Sequence, residues 1–326
     1  MGIRIALAMI AALCVSMAVR AAEPQKVTDV WLDVDTATGI GDVDDGLMLI
    51  QSFHSPEVRI RGISVVFGNA PLKLALPIAR DIAARFGPPG MVPLPGAASA
   101  GDFGKETPAV KAMAAELERG PMTIVAAGPV TNVGTLLKLY PRLDGRIERI
   151  VMVAGRRPNQ RFVTSQVQKT PHRDFNFELD PAAMRAILDA QIPLVLAPWE
   201  VSSQVWISRE DLEVLRKSGG SGAWIAHTSQ YWIDRWEKSI DARGFNPFDT
   251  LAMGWLTHPE LIKTEEMAVT IEEAPDDRAL LGRPAKTKPY LVVRPASAQA
   301  RRALYCFMPK PGFKELLIGR LGESPP

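Results

Sequence analysis

Apolar positions along the chain gather into two kinds of run. Segments rich in aliphatic and β-branched residues, of strand length and bounded by turn residues, lie at 27–34, 57–68, 122–128, 146–155 and 192–198. Between them, apolar residues recur three and four apart, as on one face of a helix, at 70–87, 131–140 and 180–190. A further helix opens at 45–53, directly after the first strand. Strands that alternate with helices and are apolar along their length imply parallel pairing with both faces covered. The pattern therefore predicts an α/β fold with an open, mostly parallel central sheet and helices on both faces. The second half adds helical stretches at 208–217, 222–238 and 249–257, and strand-like pieces near 265–272 and 288–294. No Pro/Gly/Ser-rich linker interrupts the series, so 22–326 reads as a single domain.

The first 21 residues stand apart from this pattern. Arg4 precedes an apolar stretch from Ile5 to about Val19, with small residues at its exit, Ala18, Ala21 and Ala22. That order of charge, apolar core and small-residue exit is that of a secretory signal peptide, and the stretch is short for a membrane span. The expectation is a periplasmic or secreted protein with no membrane contact in its mature form. Cys306 is then the only cysteine left, so the core must stabilise the fold without an internal disulfide. Lys and Arg number 38 against 36 Asp and Glu, a net charge of +2, and no long basic run occurs. This balance argues against nucleic acid or an anionic membrane as partner.

Ligands of parallel α/β sheets sit beyond the carboxyl ends of the strands, which directs attention to the loops there. The first strand ends in a crowd of carboxylates, Asp33, Asp35, Asp42, Asp44 and Asp45. Later strands end in Gly68–Asn69, in GPVTN at 128–132, in AGRRPN at 154–159 and in PWE at 198–200. Crowded carboxylates need a cation, shared protons or solvent. An all-oxygen set favours a hard ion, Ca²⁺ or Mg²⁺, over zinc, and none of the four His residues lies near it. The spacing is not that of an EF-hand, which has its own glycine and terminal glutamate. The simpler alternative is a solvated acidic loop with Asp44 or Asp45 capping the helix.

Taken together, Asp33-x-Asp35, the Asp44–Asp45 pair, VVFGN, AAGPVTN, DFNFELDP and FDTLA resemble the inosine–uridine-preferring nucleoside hydrolases, in order from about residue 28 to 257. The resemblance implies hydrolysis of the N-glycosidic bond of ribonucleosides to free base and ribose, a Ca²⁺ at the strand ends, and a homodimer or homotetramer. Carried over residue by residue, it makes Asp35, Asp45, Asp249 and the carbonyl of Ala127 the Ca²⁺ ligands. Asp35 would also take the proton of the attacking water. Asp44, Asn69, Asp174 and Asn176 would bind the substrate.

The sequence departs from the family pattern in three places. TATGIG and Asp42-Val43 lengthen the loop between the two aspartate pairs; Gly39 and Gly41 suit tight turns there, and Asp42 reads as structural. The sugar-holding Glu of the family is Asp174, with Glu178 as the alternative if the register differs. Members that cleave purine and pyrimidine ribosides often carry a leaving-group His directly before the last ligand Asp, where this chain has Phe248. Trp199, Tyr231, Trp232 and Trp236 are candidates for stacking on the base instead, against an ordinary role in the core. His227, one helical turn before Tyr231, reads as surface or core rather than as a pocket residue, His54 and His258 read as structural, and Arg156, Arg157 and Arg161 read as solvated rather than as contacts to an anionic ligand. Two other functions compete. A relative that binds nucleosides but hydrolyses them poorly would explain Phe248. Reading DVDTA as a haloacid-dehalogenase-type phosphatase motif would make Asp33 a nucleophile and Asp35 an acid.

Overall fold

A computed structural model describes residues 27–279, 286–297 and 300–323, so the expected signal peptide lies outside the described residues. Nine strands form one open sheet: β1 (Thr28–Val34), β2 (Val58–Val65), β3 (Leu94–Pro95), β4 (Met122–Ala126), β5 (Ile147–Met152), β6 (Leu194–Leu196), β7 (Ile262–Pro275), β8 (Thr287–Pro295) and β9 (Arg302–Pro309). Their order is β3-β2-β1-β4-β5-β6-β9-β7-β8, parallel from β3 to β9 and antiparallel where β7 meets β9 and β8. The predicted mostly parallel α/β sheet is the one observed.

Strand geometry sends alternate side chains to opposite faces. Along β1, Val30, Leu32 and Val34 enter one core while Trp31 enters the other. The first core is covered by helices that include Asp44–Phe53, Leu72–Phe86 and Thr250–Thr257. The second is covered by Pro108–Arg119, Thr131–Leu139 and Pro181–Asp189. Because helices fill both faces, the loops at the strand ends are the open side of the domain.

Several elements differ from expectation. The stretch 222–238 is two helices, Gly220–Thr228 and Gln230–Ile240, broken at Ser229. The helix Pro108–Arg119 escapes the apolar periodicity because it is rich in alanine and charge, yet Thr107 caps it by accepting from the Val110 N–H at 3.2 Å. Strand β9 and the closing helix Phe313–Gly322 were also unanticipated. β9 inserts between β6 and β7, and its Cys306 is fully buried, where burial pushes the thiol pKa up.

Candidate active site

The carboxylates converge where β1, β2 and β4 end. Asp35 follows β1 directly and is fully buried. Its carboxylate accepts from the Asn69 backbone N–H at 2.9 Å and from the Asn69 side-chain amide at 3.1 Å. The Asp35 backbone N–H in turn donates to Asp45 Oδ1 at 3.0 Å, which ties the strand end to the first turn of the helix. Two glycines make room for this. A Cβ on Gly68 would fall 1.7 Å from Asp35 Oδ2, and one on Gly128 would fall 2.9 Å from Asp35 Cβ. The GN and GPVTN loops can therefore close over Asp35 only as glycine loops.

The five aspartates have separate surroundings. Asp33 points away from the others: its Oδ1 accepts from Ser64 Oγ at 2.5 Å and from Asn132 Nδ2 at 2.8 Å. Ser64 also accepts from the Trp31 indole at 2.8 Å, so Asp33 belongs to a buried polar chain inside the sheet. A nucleophile must face its substrate, whereas Asp33 is turned into the sheet and held by Ser64 and Asn132, which argues against the phosphatase reading. Asp42 accepts from the Val43 N–H at 2.8 Å and the Asp44 N–H at 3.4 Å, and it lines the cleft. Neither Asp44 nor Asp45 caps the helix from outside; both lie within its first turn. The inserted loop turns at Gly39, whose φ is +88°, and packs on the helix where Gly46 faces Thr38.

Carboxylate oxygens of Asp44, Asp45 and Asp249 all lie within 4.8 Å of one another, and all three residues are buried. Burial, then the Asp44 charge, pushes Asp45 up to about 7. Burial, then the charges of Asp44 and Asp45, holds Asp249 well above the ordinary carboxylate range. Asp35 is raised by burial and then by Asp45. Asp249 Oδ2 is buried without a hydrogen-bond partner, an expensive state for a carboxylate unless something positive faces it. This all-oxygen donor set fits a hard divalent cation. Ala127, whose carbonyl is the expected fourth ligand, lines the same cleft, and that carbonyl accepts from Asn176 Nδ2 at 2.6 Å. Asn176 also donates to the Val153 carbonyl at 3.1 Å.

The cleft has a volume of about 750 Å³. Asp44, Asn69, Asp174, Asn176 and Asp249 form part of its lining, so those sequence-predicted residues share one space. Asp174 accepts from the Gly155 N–H at 2.9 Å, and burial raises it to about 6 against the lowering effect of Arg156. Glu178, the alternative sugar ligand, is instead taken by ion pairs to Arg173 at 2.9 Å and Lys288 at 3.0 Å. Phe248, Trp199, Trp232 and Trp236 also line the cleft. Trp199 stacks on Phe162 at 5.0 Å, and Trp236 lies 6.2 Å from Phe248. Tyr231, by contrast, is 52% exposed and outside it.

His172 lines the cleft and went unnoticed in the sequence. It stacks on Trp236 at 5.5 Å, and its Nε2 is 2.9 Å from Thr164 Oγ1. Burial, with help from Arg278, lowers it to about 4, so the ring is neutral near pH 7. Its position two residues before Asp174 was the available signal. The expectation for two arginines fails. Arg156 is 3% exposed, pairs with Asp277 at 2.8 Å and lies over the Phe162 ring; Arg157 pairs with Glu200 at 2.9 Å and also with Glu265. Carboxylates from Glu200, Glu265 and Asp277, distant in sequence, draw both arginines inward. Arg161 is exposed, as expected. His54 Nδ1 lies 2.6 Å from the Arg320 carbonyl, His258 sits 3.7 Å from Glu57, and His227 is exposed and does not line the cleft.

An open, mostly parallel sheet thus carries buried carboxylates at its strand ends beneath an aromatic-walled cleft, an arrangement suited to a metal-assisted hydrolase. The chain belongs to the inosine–uridine preferring nucleoside hydrolase family, whose model matches residues 30–293, and it is a nucleoside N-glycosidase by class. It is 28% identical over 258 residues to the pyrimidine-specific ribonucleoside hydrolase RihA of Citrobacter koseri, covering 70% of this chain and 80% of that one. A plant nucleoside hydrolase superposes with a TM-score of 0.75 at 18% identity, over 92% of this chain and 100% of its own. A purine-preferring ribonucleoside hydrolase from Gardnerella vaginalis gives 0.73 at 19% identity, over 90% and 98%. At those identities the two structures speak for the fold.

Proposed function

We propose that the chain is an exported, Ca²⁺-dependent ribonucleoside hydrolase that releases free base and ribose. The observation that carries this reading is the meeting of Asp44, Asp45 and Asp249 within 4.8 Å, with a buried, unpartnered Asp249 oxygen, where Asp44 and Asp249 line an aromatic-walled cleft and Asp45 lies behind them. In the reaction, water adds to the ribose C1′ and the C1′–N bond breaks. Its electron pair leaves with the base, which gains a proton. Positive charge grows on the sugar ring as the base departs, and the surrounding carboxylates stabilise it. Asp35, held by both Asn69 donors, takes the proton of the attacking water. Asp44 and Asp174 accept from ribose hydroxyls. Asn176 spends its amide on two carbonyls, which leaves its side-chain oxygen for the sugar.

Asp45 and Asp249 would hold the cation with Asp44 close enough to share it, and the resemblance adds Asp35, whose backbone N–H is bonded to Asp45, and the Ala127 carbonyl. A bound Ca²⁺ supplies charge that acidifies and orients water and docks vicinal hydroxyls. Phe248 offers no proton to the departing base, so Trp199, Trp232 and Trp236 are the groups that meet it, by stacking. The relatives' names cover pyrimidine and purine ribosides, and this wall suits either ring. The working unit would be a homodimer or homotetramer.

The test incubates the mature protein with purine and pyrimidine ribonucleosides, with and without chelator, and quantifies base and ribose. Release that stops on chelation and returns with Ca²⁺ is expected; no release from any nucleoside with Ca²⁺ present would sink the reading. Sequencing the protein's N-terminus after fractionation tests export. Phe248 favours a second reading, a nucleoside-binding relative with little turnover, which predicts thermal stabilisation by nucleosides without free base.

A further inference from the structure

The cleft is polarised. Its floor carries Asp44, Asp174 and Asp249, whereas Lys169, Arg235 and Arg278 line the same space and are exposed at its mouth. These three cations come from separate segments: the long loop after β5, the helix Gln230–Ile240, and the turn after β7. Arginines near them are spoken for. Arg156, Arg157 and Arg173 each pair with a carboxylate. On the helix Gln230–Ile240, both acids, Asp234 and Glu237, turn to Arg209 at 2.6 Å. Among the described residues, that leaves the Arg235 guanidinium with the Tyr231 hydroxyl at 3.5 Å as its one side-chain hydrogen-bond partner. Among the described residues, no carboxylate pairs with Lys169, Arg235 or Arg278.

These cations flank the wall that meets the substrate. Arg235 lies 5.8 Å from the Trp232 ring, and Arg278 is close enough to His172, itself stacked on Trp236, to oppose its protonation. Low-dielectric aromatic walls focus the field of such charges into the cleft. A neutral nucleoside offers them hydrogen-bond acceptors but no opposite charge.

We propose that the preferred substrates are ribosides bearing an anionic substituent, which Lys169, Arg235 and Arg278 hold at the cleft mouth while the sugar sits on the carboxylate floor. Guanidinium groups match phosphate and carboxylate oxygens in planar pairs. The anion has two sources, a 5′-phosphate on the ribose or a carboxylate on the base. The chemistry is unchanged: water adds at C1′ and the base leaves with a proton, so the phosphate stays with the ribose or the carboxylate departs with the base. The inference rests on the nucleoside hydrolase reading.

The experiment measures kcat/KM of the Ca²⁺-loaded protein for uridine, uridine 5′-monophosphate and orotidine. One anionic substrate should exceed uridine about tenfold or more, as one or two charge-assisted hydrogen bonds allow. R235Q and R278Q should each pull that ratio toward one, and added salt should lower it. The arm that responds identifies the source of the anion. Uridine equal to or better than both, or a ratio that the variants leave unmoved, overturns the proposal. If no substrate is hydrolysed, the hydrolase reading fails instead, and calorimetric binding of the same three compounds decides this one. Tighter anion binding lost in R278Q supports it, and binding no tighter than that of uridine overturns it.

Discussion

The floor and the wall of the cleft are built on different plans. Floor residues leave strand ends and helix starts, are almost wholly buried, and are fixed by contacts that a single Cβ on Gly68 or Gly128 would destroy. The wall is assembled from separate segments, among them the long loop after β5, the helix Gln230–Ile240 and the turn after β7, and it mixes buried and half-exposed rings with exposed cations. A rigid floor suits bond-breaking at the sugar, which is common to every riboside. A looser wall suits the part of the substrate that varies. On the proposed function, chemistry would be attached to the sheet and selectivity to the periphery.

That division can be broken from the floor first. Asp249→Ala should lower kcat/KM for every nucleoside alike, by about 10³-fold, since the loss falls on charge stabilisation at the sugar. Base-dependent losses would show that floor and wall are not separable. Next is Phe248→His, which places an acid on the wall next to the floor. It should raise turnover by about 10²-fold and add a limb to the pH profile that falls as pH rises through about 6.5. An unchanged profile would mean that base departure is already assisted or is not limiting.

The smallest effect is on stability. Burial raises Asp45, and in the sheet interior Asp33, to about 7, above the ordinary value of 3.8. Between those values the folded protein holds more protons than the unfolded chain, so stability falls as pH rises. The metal-free protein should therefore melt at progressively lower temperature from about pH 4 to about pH 7. Divalent cation should flatten most of that slope, leaving the part due to Asp33, which the cation does not reach. Calorimetry across pH, with and without cation, measures both; a slope of the opposite sign would contradict the buried, unpaired carboxylates.

Sequence legibility follows the same division. The parallel sheet and the shared cleft of Asp44, Asn69, Asp174, Asn176 and Asp249 were readable, because strand ends converge by topology and the residues lie in short local motifs. His172 and Arg278 were not, since nothing local marks a loop residue as facing a cleft. Arg156 was misread because its partner Asp277 lies 121 residues away. Tyr231 and Trp232 are neighbours, yet helix rotation puts one in solvent and the other in the cleft. The place of β9 depends on long-range pairing with β6 and β7, which apolar patterning does not encode.

Cys306 gives the protein an internal clock. It sits fully buried in β9, on the seam where parallel pairing gives way to antiparallel. A thiol reagent can reach it only when that seam opens, so its labelling rate times the opening of the sheet. In denaturant, the count of labelled thiols also dates the molecule's history: two for the full 326 residues, one once Cys14 has been removed with a cleaved leader.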